Sequence, residues 1–176
     1  MKNMKKKNRQ KGFTLIELLA VLIILSIIMG IAIPNVISTL DRSKKDTYIS
    51  DAKKFLTLAK TKLATDITKP YGKEAVKITL SCVDNQDLTK DPEGNNYDED
   101  NSFVIVTKTE TGELTYHVNL VAIDSEGKPT RGIRLKKKSE LDGDNRLQYV
   151  EKNITIPSDD EIMKVIGANS IVSCKP

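Results

Sequence analysis

Residues 11–33 read KGFTLIELLAVLIILSIIMGIAI, from Lys11 to Ile33. After Gly12 and Phe13 comes a lone acid, Glu17, and then an almost unbroken apolar run. Phe13 to Ile33 is 21 residues, about 31 Å as a helix, which matches the ~30 Å hydrocarbon core of a bilayer. Apart from Thr14, Glu17 and Ser26, the stretch is apolar or glycine all the way round. A helix without a polar face belongs in lipid or deep in protein. A chain of 176 residues has little globular interior to hide it in. Lipid is therefore the expected first environment.

Glu17 is the exception that calls for a partner, because intramembrane ionisable residues are usually functional. As a boundary acid it could also simply reach the headgroups from about 6 Å inside the helix. A cut between Gly12 and Phe13 would create a new amine at Phe13. In a bundle of such helices, the Glu17 carboxylate of one copy could neutralise that amine on the next. Either charge left alone would be costly.

Gly12-Phe13-Thr14-Leu15-Ile16-Glu17, behind a short basic leader and ahead of an apolar helix, resembles the class III signal of type IV prepilins. The resemblance implies cleavage after Gly12 by a membrane prepilin peptidase, N-methylation of Phe13, and an assembly role for Glu17. It also implies a helical filament of identical subunits, with a platform protein and an assembly ATPase as partners. Adhesion, surface motility, secretion and DNA uptake are the functions found in the family. The layout resembles that of Gram-positive pilins.

Charge supports a membrane topology. The chain carries 28 Lys and Arg against 24 Asp and Glu. Six of the bases, and no acids, fall in Met1–Gly12. Without that leader the balance is 22 bases to 24 acids, a net −2. The mature part therefore has no global nucleic-acid signature. The basic leader predicts a cytoplasmic N-terminus with the remainder outside. The rival is an ordinary secretory signal cut near Gly30-Ile31-Ala32, releasing a soluble binding domain. The early acid and the length of the apolar run speak against it.

Beyond the apolar run, the spacing of Ile49, Ala52, Leu56, Ala59 and Leu63, with Phe55 beside them, predicts an amphipathic helix continuing to about Ile67. Pro34 lacks a backbone donor, so a kink or local melting is expected around Gly30–Pro34. Pro70 should stop the helix, with Tyr71-Gly72 turning the chain. A coiled coil is the weaker reading, since the heptad register is confined to the second half. Four segments follow: a leader at 1–12, an apolar helix at 13–34, its amphipathic continuation at 35–68, and a β-rich head at 69–176.

In the head, Ala75–Leu80, Phe103–Thr107, Leu114–Ile123 and Gly132–Lys136 read as strands, the second and third as a hairpin. Leu147–Val150 and Ile154–Ile156 are further short candidates. Ser158 with Glu161 three residues on predicts a capped helix over Asp159–Ile166, ended by Gly167. A long helix followed by antiparallel strands is an α+β layout. It is also the layout of the pilin fold that the resemblance implies.

Two cysteines, Cys82 and Cys174, can form a disulfide outside the cell. Closing a loop of about 90 residues would stabilise by roughly 4–5 kcal/mol in the chain-entropy model; two reduced thiols are the alternative. No catalytic unit is expected. His117 is the only histidine, and Thr115 and Asn119 on its alternation face predict solvent exposure. The acids of the 91–100 segment read as a solvated turn without regular calcium-loop spacing. Lys136-Lys137-Lys138 read as a solubilised strand end. No zinc pattern, phosphate loop or cofactor is implied.

Overall fold

A computed structural model describes residues 13–65, 70, 73–84 and 87–174. The leader with Gly12, the expected helix end at Ile67 and the Tyr71-Gly72 turn lie outside the described residues.

One helix, α1 (Leu15–Thr65), carries both the apolar run and its amphipathic continuation. The helical assignment is unbroken through Gly30 and Pro34, so the expected local melting does not occur. Pro34 costs a backbone bond, and neighbouring polar side chains return bonds to the same stretch. Asn35 Nδ2 donates to the Ile31 carbonyl at 3.1 Å, and Thr39 Oγ1 to the Asn35 carbonyl at 2.8 Å. The molecule divides into two compact units, Met1–Asp41 and Arg42–Pro176. The helix begins to bury a face only past Asp41.

In the second unit the helix stripe is buried as its spacing predicts. Ile49, Ala52, Phe55, Leu56, Ala59 and Leu63 are joined by Tyr48. They pack on a seven-stranded sheet: β1 (Glu74–Thr79), β2 (Asn96–Tyr97), β3 (Phe103–Lys108), β4 (Leu114–Ile123), β5 (Pro129–Lys137), β6 (Val150–Lys152) and β7 (Ser170–Ser173). The strand order is β6-β5-β4-β3-β1-β7, with β2 beside β4. The sheet is mixed, because β7 runs parallel to β1 while every other pairing is antiparallel. This α+β arrangement is pilin-like, with β7 an addition to the expected antiparallel set. Ile154–Ile156 forms no strand. Leu147–Tyr149 lies in a 3-10 turn, and the strand begins at Val150.

Alternation sorts the sheet's side chains into two cores. Val76, Ile78, Val104, Val106, Val118, Leu120, Ala122 and Ile133 face the helix stripe. Ala75, Phe103, Ile105 and Leu135 face the other way and meet Ile162 of α3 (Asp159–Ile166). The α3 caps follow the sequence: Ser158 Oγ accepts from the Glu161 amide, and Gly167 closes the helix at φ 68°. α3 thus covers part of the second face of the sheet. A short helix, α2 (Lys138–Asp142), follows β5 and buries Leu141.

Two backbone details shape β5. Gly132 lies so close to the Leu120 carbonyl that a Cβ would collide with it. Farther on, an extra residue shifts the register between the Leu120–Ile133 and Val118–Lys136 pairs. Leu135 takes φ 44° there, a left-handed conformation that costs a non-glycine residue about 1–2 kcal/mol. The bulge turns Leu135 to the α3 side and aligns Lys137 with His117.

Candidate assembly site

Every residue from Phe13 to Leu40 is exposed. Phe13 is 93% exposed and Ile23, mid-run, still 54%. Such a continuous apolar surface far exceeds what soluble monomers leave to water. Among the described residues, this helix alone is long and apolar enough to cross a membrane. Its few polar side chains turn inward on the backbone: Ser26 Oγ donates to the Leu22 carbonyl at 2.8 Å, and Ser38 Oγ to the Asn35 carbonyl at 3.0 Å. That satisfies the hydroxyls without water, as lipid or a helix bundle demands.

At the helix start, Glu17 does local work that the sequence reading missed. Its Oε2 accepts from the Thr14 amide and from the Thr14 hydroxyl, both at 2.8 Å. Thr14 Oγ1 in turn accepts from the Glu17 amide at 3.3 Å. This is a reciprocal capping box, with Thr14 at the cap and Glu17 three residues on. The Thr-x-x-Glu spacing was visible in residues 14–17. The carboxylate is thereby aimed back toward Phe13, the residue that cleavage after Gly12 would make N-terminal.

Residues 7–33 match the prokaryotic N-terminal methylation motif. The chain carries a type IV prepilin-like signal. The match spans Gly12, Phe13, Glu17 and Gly30, and ends one residue before Pro34. A prepilin-like signal of this class implies processing by a prepilin peptidase and handling by pilus-assembly machinery. With the apolar helix behind it, the signal marks a membrane-anchored precursor of pilin-like or pseudopilin type. No curated protein and no solved structure matches the chain.

The remaining sequence candidates sit in the unit from Arg42 onward. Cys82 and Cys174 form a disulfide with Cα atoms 6.5 Å apart, inside the usual range. The bond lies where β7 ends beside β1: the Cys174 amide donates to the Lys77 carbonyl at 2.9 Å. His117, expected in solvent, is only 4% exposed. The strand alternation was right, but α3 packs on that face of the sheet. Burial foremost, and then the Lys137 ammonium, hold the imidazole pKa below its ordinary value, with Glu140 opposing them.

The acidic turn is not simply solvated either. Asp91 is 5% exposed. Its Oδ1 accepts from the Glu93 and Asn95 amides, both at 2.8 Å, and its Oδ2 from the Tyr48 hydroxyl and Asn95 Nδ2. Tyr97 donates to Asp51 Oδ2 at 2.7 Å, and its ring meets that of Tyr48 edge-on, with centroids 6.0 Å apart. Burial raises both tyrosine pKa values, so these hydroxyls stay donors. The acid thus pins the turn to α1. Of the lysine triplet, Lys136 lies 4.4 Å over the Tyr149 ring, and Lys138 pairs with Asp142 at 2.7 Å. Only Lys137 faces the His117 side.

Proposed function

We propose that this chain is a structural subunit of a type IV pilus. The observation that carries the reading is the prepilin-like signal joined directly to a helix whose every side chain from Phe13 to Leu40 is exposed. The precursor sits in the membrane with its head outside. A prepilin peptidase cuts after Gly12 and methylates Phe13. A platform protein and an ATPase then move the helix out of the bilayer into a filament of identical subunits. Repetition of one heterologous contact along an axis gives a filament rather than a closed ring. In its core the apolar runs exchange lipid contacts for one another.

The capping box supports a role for Glu17 in that contact. Thr14 occupies Oε2 and leaves Oε1 for the methylated Phe13 amine of a neighbouring copy. The filament serves adhesion, surface motility or DNA uptake; the same chemistry used at a filament tip or in a secretion piston would make a minor pilin or pseudopilin. The chain acts by assembly rather than by catalysis.

Sheared surface fractions from cells expressing variants test this reading. Gly12→Ser leaves full-length precursor in the membrane. Glu17→Ala is processed at Phe13 but does not enter filaments efficiently. Thr14→Ala, which removes the box but keeps the charge, still polymerises. Normal piliation by the Glu17→Ala protein would sink the charge pairing, and efficient cutting of Gly12→Ser would sink the cleavage site.

A further inference from the structure

Past the C-terminal end of α3, the second face of the sheet opens into a cavity of about 380 Å³. Its floor is polar and is set by strand register. Thr107 pairs with Thr115, and His117 with Lys137, across β3, β4 and β5. One wall is apolar, made by Val165, Ile166 and Ala168. Lys73, Lys108, Glu74 and Glu110 supply the remaining charged groups of the lining.

The floor is underused by the protein itself. His117 Nδ1 is buried without a hydrogen-bond partner among the described residues. That atom is sealed from solvent, so a ligand in the cavity meets the residue at another atom. Thr107 and Thr115 share one bond between hydroxyls at 2.6 Å; that bond uses one hydroxyl proton and leaves the other for a ligand. Among the described residues, no carboxylate forms an ion pair with Lys137. Around the cavity, three lysines face two glutamates, a surplus of one positive charge with His117 neutral. That balance favours a ligand of charge −1 over a dianion. The volume is at the small end of ligand pockets.

We propose that this cavity binds a small monocarboxylate bearing hydroxyl groups, about the size of a single uronic acid. The carboxylate lies between His117 and Lys137, the ligand hydroxyls meet Thr107 and Thr115, and its less polar face rests on Val165 and Ile166. The site belongs wholly to the unit from Arg42 onward, so it stands or falls independently of filament assembly.

Because His117 is the only histidine in the chain, its imidazole is an unambiguous reporter. The test is NMR of the full chain in detergent micelles with carbon-13-labelled histidine. D-glucuronate should shift the imidazole signals saturably, while D-glucose at the same concentration should not. Inorganic phosphate should bind more weakly than glucuronate. A bound carboxylate should also raise the pH at which His117 titrates, outweighing Lys137 while Lys73, Lys108, Glu74, Glu110 and Glu140 remain as they are. Lys137→Met keeps the reporter and the Lys137 amide bond to Glu140, and should weaken glucuronate about tenfold. For His117→Gln, saturation transfer to the glucuronate protons should fall by a similar factor. No saturable shift, an equal shift from glucose, or unchanged affinity in Lys137→Met would overturn the proposal.

Discussion

The two halves of α1 have the same backbone and opposite relations to solvent. From Phe13 to Leu40 every side chain is exposed, whereas Tyr48 to Leu63 buries one face completely. The second half is finished by its own chain: the sheet covers its stripe, and Asp91 and Asp51 take the hydroxyls of Tyr48 and Tyr97. Among the described residues nothing covers the first half, which is suited to lipid or to other copies. One helix thus joins a segment stable only in company to a segment that folds around itself. The changeover comes near Asp41, seven residues past Pro34.

That contrast can be broken most forcefully at the disulfide. Replacing both Cys82 and Cys174 by serine should cost the head about 4–5 kcal/mol by chain entropy, read as a lower unfolding midpoint of the full chain in detergent. The helical signal of the apolar half should not change. Next, Phe55→Ala should cost about 3–5 kcal/mol, because it empties a fully buried site. Leu22→Ala should leave the same midpoint unmoved, since Leu22 is exposed. Equal losses from the two would mean that the halves are not independent.

A smaller effect sharpens the account of the acidic turn. Asp91→Ala removes the acceptor of four donors and should cost about 1–3 kcal/mol, measured by the same melts, with Asp91→Asn losing less. Smallest is a pH effect confined to the head. His117 titrates below its ordinary value when folded, so the unfolded chain takes up its proton first. Stability should therefore rise with pH between the lowered folded value and about 6.5, and level off above it. His117→Gln should flatten that window.

What could be read in advance was what local pattern controls. The stripe of α1, the limits of β4 and both caps of α3 follow from spacing, alternation and the Ser158 and Gly167 signals. The misses are long-range. Ser170–Ser173 has no strand signature of its own; it becomes β7 because the chain returns to the free edge of β1 some ninety residues later, beside the disulfide. His117 was placed on the correct face, but alternation along a strand does not reveal that α3 comes back over it. Lys137 joins that face through the bulge at Leu135, for which the Gly132–Lys136 stretch carries no marker. At the candidate site, Gly12, Phe13 and Glu17 were legible from the motif. The Thr14–Glu17 box is legible too, in the Thr-x-x-Glu spacing of residues 14–17.

The most direct test of the account is the N-terminus and intact mass of the protein sheared from the surface of its native cells. The expected result is a chain beginning at N-methylated Phe13 and lighter than its reduced form by two hydrogens, in keeping with one disulfide. A chain beginning near Ile33 would contradict it, because a secreted head without its apolar helix has nothing from which to build a filament.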